Sequence, residues 1–347
     1  MIKVVHLIQS LDPKTGGVAE AVLRLNEELK NQNISSSISS HKEGDYKGAD
    51  IVIAHGLWQW PVVKAWNCSK KYKTPYMVFP HGMLDPWFKK AYPLKHVKKQ
   101  IYWYWRQGKI LRDAYKVCFT TEEERRLAQR TFKPYKANEI ITGLGVSEPP
   151  SQKDTQLKAI YSLFPKLKNK KVLLYLGRFH PKKGVDLLIN AFLKQSKKND
   201  ILLLAGPLDN TDPYIKYLKE RSHKNSKQIV WSGMLKGDLK WGALRIADAL
   251  ILPSHQENFG MVIAEALSVE TPVFLTNKVN LWREVLESGA GIVSDDDQAG
   301  IDHLIQQWVF NSHARCLANT TKCFREKLHI SQTVEKIISI LPKSYCM

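Results

Sequence analysis

The chain has 347 residues, 44% of them hydrophobic, with ten Trp and a formal net charge of +19. That suffices for about two domains with cores of their own, and no apolar run approaches the roughly 20 residues of a membrane helix. The five cysteines are odd in number, widely spaced and without a C-x-x-C pair, which argues against a disulfide framework or zinc site and for free thiols in a reducing compartment.

The opening MIKVVHLIQS is too short, and too soon interrupted by Asp12 and Pro13, for a secretory signal, and it reads as a strand over 2–8. A loop with Gly16 and Gly17 leads into an amphipathic helix over 18–30. Paired glycines allow positive φ and close approach to a ligand, or simply make a tight turn. Strands are predicted over 50–54 and 76–79, ending at His55-Gly56 and Pro80-His81-Gly82. A further strand over 116–120 meets Thr121 and Glu124, spaced as a capping box. A helix over 122–131 and a strand over 139–142 complete a parallel doubly wound pattern. Histidines at two strand ends point to one functional wall, although a single strand-end histidine is more often structural.

Residues 147–155, with Pro149 and Pro150, read as a linker. A second alternating unit follows, with strands over 172–176, 201–205, 229–231, 249–252, 273–276 and 291–293. Helices are expected over 185–195, 239–247 and around 282–287, and residues 301–341 are helical in pattern. Tandem parallel sheets place ligands in the cleft at the carboxyl ends of their strands, where the loops at 177–184, 206–207, 233–235 and 253–260 lie.

Two of these loops carry chemistry. Arg178 and Lys183 follow a strand ending in Gly177, and two cations beside a helix N-terminus suit a diphosphate leaving group. Glu257 lies in the loop before a helix that starts near Phe259 or Gly260, and Glu265 lies on that helix, with seven residues between the two. Free N–H groups and the helix dipole suit a diphosphate, and carboxylates accept hydrogen bonds from sugar and ribose hydroxyls. Asp295-Asp296-Asp297 contains a formal D-x-D, a metal-binding pattern in other transferases. Here it falls in a turn after the last strand and reads as a solvated acidic turn.

The run LPSHQENFGMVIAEALSVETP, at 252–272, resembles the E-x7-E signature of retaining glycosyltransferases of family 4. G-R-x-x-x-x-K-G at 177–184 and G-G-x-A-E at 16–20 are similar to that family's phosphate-binding and glycine loops. The resemblance implies the α/β GT-B fold: two Rossmann-like doubly wound parallel-sheet domains facing across a cleft. An acceptor-binding domain is expected at 1–150, a nucleotide-sugar-binding domain at 151–310, and a helical tail at 311–347 returning to the first domain. It implies transfer of a hexose from a UDP- or GDP-sugar with His81, Arg178, Lys183 and Glu257 as the catalytic set. Donor contacts would come from Gly16, Gly17, Gly177, Gly206, Pro207, Gly233, Met234, Leu235, Asn258, Phe259, Gly260, Met261 and Glu265. His55, Trp58 and Trp60 resemble acceptor-side residues. No metal and no cofactor are implied, since Arg178 and Lys183 supply the charge.

Residues 86–116 hold nine Lys or Arg against one acid, Asp113. Leu94, Val97, Ile101, Tyr104 and Leu111 fall near a helical period, with Lys95, Lys99, Arg106, Lys109 and Lys116 on other faces. Interleaved Trp87, Tyr102, Trp103 and Trp105 suit an anionic membrane surface, while an ordinary packed helix with a basic outer face is the plainer alternative. H-G-M-L-D-P-W followed by a basic helix resembles bacterial polysaccharide transferases. That implies a lipid-linked acceptor and a cytoplasmic enzyme peripheral on the inner face of the plasma membrane. The rivals are a phosphorylase or nucleotide-sugar epimerase on the same fold, and a basic nucleic-acid-binding protein without catalysis. No nucleic-acid motif accompanies the charge, so nucleic acid is not an expected partner.

Overall fold

The computed structural model describes residues 2–12, 17–44, 46–223, 227–310 and 314–342, the last from 314 to 318 by backbone alone. Contacts divide the chain into two units: Met1–Ser147 with Leu328–Met347, and Glu148–Lys327.

The first unit is a six-stranded parallel sheet. In chain order its strands are β1 (Lys3–Leu7), β2 (Ser35–Ser39), β3 (Ile51–His55), β4 (Tyr76–Phe79), β5 (Lys116–Phe119) and β6 (Glu139–Ile141). In space the order is β2-β1-β3-β4-β5-β6. β3 and β4 are buried throughout, because helices cover both faces of a parallel sheet and its central strands become unbroken apolar runs. The chain leaves β1 in one direction for β2 and returns to pair β3 on the other side. The carboxyl ends of β1 and β3 therefore flank a switch point, where open α/β sheets hold ligands.

The helix Ile330–Ser339 belongs to this unit. Its Ile330, Val334 and Ile337 join Val4, Leu25, Leu29, Ile51, Ile53, Met77 and Phe79 in one buried cluster. Backbone bonds from Val146 N to Leu328 O and from Ile330 N to Val146 O, both 3.0 Å, stitch it in place. A Cβ on Gly145 would lie 2.5 Å from the Ile330 backbone, so this crossing admits only glycine. The tail expected over 311–347 is divided. The helix Ala314–Cys323 stays with the second unit, and the return begins at Leu328. Cys323 and Phe324 are buried there, which anchors the intervening stretch to its own unit.

The second unit has strands β7 (Lys171–Leu176), β8 (Asp200–Ala205), β9 (Ile229–Gly233), β10 (Ala249–Leu252), β11 (Val273–Thr276) and β12 (Gly291–Ser294). Their order is β12-β11-β10-β7-β8-β9, all pairs parallel. Its switch point lies between β7 and β10, so the loops after those two strands meet. Part of the expected linker is a helix, Lys153–Leu163. It packs on the helix Gly237–Ile246 so closely that a Cβ on Gly242 would lie 2.3 Å from Gln156 O.

Candidate active site

In the second unit, buried Val172–Tyr175 drive β7 into the sheet, and the chain emerges at Gly177. Phe179 turns back inward against Tyr175 and Trp231, and the Tyr175 hydroxyl donates to Arg178 O at 2.7 Å. This grip leaves the Arg178 side chain exposed. The following turn, Pro181–Lys183, ends at Gly184 in the left-handed region. A Cβ there would lie 2.1 Å from Pro253 O, so the loop after β7 touches the loop after β10. His255 N donates to Lys182 O at 2.8 Å across the same junction.

The junction brings together two residues far apart in sequence. Lys183 is buried and its Nζ pairs with the Glu257 carboxylate. Burial pushes the Glu257 carboxyl up, but Lys183, then Lys182 and the Asn258 N–H, outweigh it and hold the group below the usual carboxylate range. The Glu257 backbone is fixed from the other side: its N–H donates to Lys278 O at 3.1 Å and its O accepts from Asn280 N at 3.0 Å. Asn280 Nδ2 also donates to Asn258 Oδ1 at 3.1 Å. Gly260 then opens the helix Met261–Ser268 with φ 66°. A Cβ at Gly260 would press on Ile263 and on the Glu257 side chain. The site thus has two cations, one paired carboxylate and the N–H groups of a helix start, an arrangement that can hold a diphosphate and a hydroxyl side by side.

Glu265, on that helix, is buried and accepts from Lys240 Nζ at 2.9 Å. Gly177, Gly206–Pro207 and Gly233–Met234 lie at the carboxyl ends of β7, β8 and β9. Gly206 is pressed against Gly177 O, at 2.0 Å from where its Cβ would be, whereas Gly233 faces open space. Met234 is exposed, and Leu235 and Phe259 are buried, so those two offer backbone rather than side chain. Met261 is half-buried.

The acidic turn is not merely solvated. Asp295 accepts from Asn277 Nδ2, Asp296 pairs with His255 Nδ1 at 2.8 Å, and Asp297 accepts from Gly300 N at the start of the helix Gln298–Phe310. The three carboxylates serve different partners, and Asp296 also lies 3.8 Å from Lys278 Nζ. Among the described residues no group of three or more His, Cys, Asp or Glu side chains is placed to hold a metal ion.

In the first unit, His81 follows β4 with φ 49°. A left-handed backbone at a non-glycine is strained and persists only when its surroundings enforce it. Glu124 supplies the enforcement: its buried carboxylate accepts from Gly82 N at 2.6 Å and from Thr120 N and Oγ1, both at 2.7 Å. Thr121 Oγ1 in turn caps the helix Glu122–Ala128 by accepting from Glu124 N. His55 is not an acceptor contact. It is buried, and its ring nitrogens are committed to His6 and His81. Trp58 is likewise occupied, packed on Trp103 and Phe132 with Lys99 Nζ over its ring. Trp60 instead borders a shallow depression at the carboxyl ends of β1 and β2, lined also by Gln9, Ser40, His41, Lys42 and Glu43. Gly16 lies outside the described residues, and Gly17 is the first residue of the helix Gly17–Asn31.

Residues 163–322 match the family described as glycosyl transferases group 1, and residues 45–142 match the glycosyl transferase 4-like domain. An uncharacterized glycosyltransferase of Methanocaldococcus jannaschii is 26% identical over 180 residues, 50% of this chain and 45% of that protein. The O-antigen chain mannosyltransferase C of Escherichia coli is 22% identical over 186 residues, 52% of this chain and 48% of that protein. The chain thus aligns with about half the length of these curated relatives. Anabaena HepE, solved in complex with UDP and glucose, superposes with a TM-score of 0.76 at 16% identity, covering 98% of this chain and 99% of that one. The fold is GT-B.

Proposed function

We propose that the chain is a retaining hexosyltransferase of the group 1 glycosyl transferases, the family whose model matches residues 163–322. It moves a hexose from a UDP- or GDP-sugar to a hydroxyl of a lipid-linked saccharide in surface polysaccharide synthesis. The observation that carries this reading is the convergence of Lys183, Glu257 and the helix start at Gly260 on the switch point of the second unit. The diphosphate takes the N–H groups and the cations, and Glu265 takes the ribose. As the bond from the sugar carbon to the diphosphate oxygen breaks, negative charge grows on the β-phosphate, and Arg178 and Lys183 stabilise it. The acceptor oxygen bonds to the same face of that carbon, and its proton passes to the departing phosphate. In the second unit Glu257 positions the hexose, and in the first unit His81 is the residue suited to a sugar hydroxyl. On the first unit the acceptor occupies the depression beside Trp60, whose ring suits a sugar face.

We read the reaction as metal-independent, because Arg178 and Lys183 can supply the positive charge that a divalent ion would otherwise bring to the diphosphate. A thermal-shift screen of UDP- and GDP-sugars in EDTA tests both points. At a hundred times Kd, binding adds about 2.7 kcal/mol of stability, which for units of this size raises Tm by roughly 5–10 °C. Absence of any shift, or a shift that requires Mn²⁺, would sink this reading. Incubating the nucleotide sugar without acceptor separates an epimerase, which needs none.

The membrane assignment rests on the helix Pro93–Tyr102 and the π-helical turn Trp103–Gln107. Leu94, Val97, Ile101, Tyr104 and Trp105 are 81%, 57%, 67%, 70% and 67% exposed. In a packed helix this stripe would face the core. Here it faces out, among Lys95, Lys98 and Arg106, as interfacial helices do. Trp103 and Leu111, by contrast, belong to the core, and the Trp103 indole donates to Pro134 O at 2.8 Å. Among the described residues no helix is long and apolar enough to cross a membrane. The protein is expected to float with vesicles containing anionic lipid and to remain below with neutral ones. The double variant Leu94→Asp, Ile101→Asp should lose flotation, and equal flotation of both proteins would refute surface binding.

A further inference from the structure

Three imidazoles stand in one line in the first unit. His6 Nδ1 is 3.0 Å from His55 Nε2, and His55 Nδ1 is 2.9 Å from His81 Nε2. The rings stack, with centroids 5.2 Å apart in both pairs. His6 and His55 are buried and His81 is half-buried. Burial holds the three neutral, drawing His6 down to about 3 and His81 to about 4. His55 is drawn well below the usual imidazole value by burial and by its two imidazole neighbours.

Each neutral imidazole carries one N–H and one lone pair. Both hydrogen bonds are satisfied in just two arrangements: every ring protonated on Nδ1, or every ring protonated on Nε2. No ring can change alone, because two N–H groups or two lone pairs would then face each other. The closed end of the line selects between them. His6 Nε2 is buried and, among the described residues, has no hydrogen-bond partner. A proton there would make it a buried N–H without an acceptor, the rarer kind of orphan in folded proteins. With every proton on Nδ1, that atom is a bare lone pair and the last N–H sits at the half-exposed end, on His81.

We infer that His6 and His55 are positioning residues that hold His81 as the Nδ1–H tautomer, so that its remaining ring nitrogen is a fixed donor to an oxygen of the transferred sugar. The sugar contact rests on the function proposed above, but the tautomer does not. The donor geometry costs no reorganisation when substrate arrives, since the proton is set by a residue two rings away.

The experiment is ¹⁵N NMR of histidine-labelled, unliganded protein at neutral pH, paired with kinetics on a nucleotide sugar. His6, His55 and His81 are all expected to carry their proton on Nδ1. His6→Leu should lower kcat/KM at least tenfold. His6→Asn, whose amide can donate from near the Nδ1 position, should recover most of that loss. A wild-type His81 protonated on Nε2, or an unchanged kcat/KM in His6→Leu, would overturn the inference. Should His6→Leu fail to fold, the wild-type spectrum still decides it. Expected tautomers in a protein that turns over no nucleotide sugar would leave the proton arrangement standing and remove the proposed function instead.

Discussion

Arg178→Ala is expected to reduce turnover by about 10²–10³-fold, the typical loss when one preorganised charge-stabilising donor is removed, while Tm stays essentially where it is. The two halves of this expectation come from the same geometry. The loop is held by main chain and by neighbouring residues: Tyr175 binds Arg178 O, and Phe179 is buried between Tyr175 and Trp231. The guanidinium itself is exposed and, among the described residues, has no ion-pair partner. Among the described residues its removal thus breaks no side-chain hydrogen bond or ion pair, and substitutions of that kind usually change stability by less than about 0.5 kcal/mol. Lys183→Ala is a less clean experiment, because it strips Glu257 of its counter-charge. Arg178→Lys keeps the charge but loses the planar fork, and should recover only part of the activity. Turnover of Arg178→Ala within threefold of wild type would remove this residue from the chemistry.

Gly184→Ala is the second large effect, and it acts through the backbone. The position has φ 62°, and a Cβ would sit 2.1 Å from Pro253 O. The obstacle is a main-chain oxygen, so no side-chain rotation relieves it. A left-handed alanine costs about 1–2 kcal/mol, and forced overpacking typically adds 1–3 kcal/mol. A total of about 3 kcal/mol corresponds to a fall in Tm of roughly 6–12 °C for a unit of this size. Activity should fall with it, since the loops after β7 and β10 must separate and take Lys183 away from Glu257. Gly233→Ala is the control. It also has positive φ, at 71°, but nothing lies within 4 Å of its would-be Cβ, so it should cost only the conformational part. Equal destabilisation by the two substitutions would show that the Pro253 contact is not what demands glycine.

Much of this architecture is written in the sequence because parallel strands buried on both faces have to be continuous apolar runs. ILLLA, ALIL and VFLT leave little else they can be. β2 escaped because SSSIS is polar, lies at the sheet edge, and is defined mainly by its pairing with β1. The helix Trp60–Tyr72 escaped because Gln59 makes no side-chain cap, so its start carries no signal beyond Pro61. The helix Lys153–Leu163 was hidden by the two prolines just before it. In the site, the loop residues were legible because glycine, cation and acid recur there at fixed spacing. His6 and Lys240 were not, since a histidine inside a strand and a lysine on an amphipathic helix have no spacing of their own. Spacing likewise predicted an apolar stripe over 94–104 but not that it turns outward, which depends on what the rest of the fold leaves uncovered.

The stitching of the helix Ile330–Ser339 onto the sheet of the first unit has a consequence for biogenesis. A ribosome delivers Glu148–Lys327 as one uninterrupted piece, able to collapse as it emerges. The earlier segment must wait for the last helix before Val4, Leu25 and Met77 are covered. During that interval the nascent chain offers an apolar face to chaperones or to other nascent chains, as incompletely assembled domains do. A translational stop just before Ile330 would leave that face open permanently.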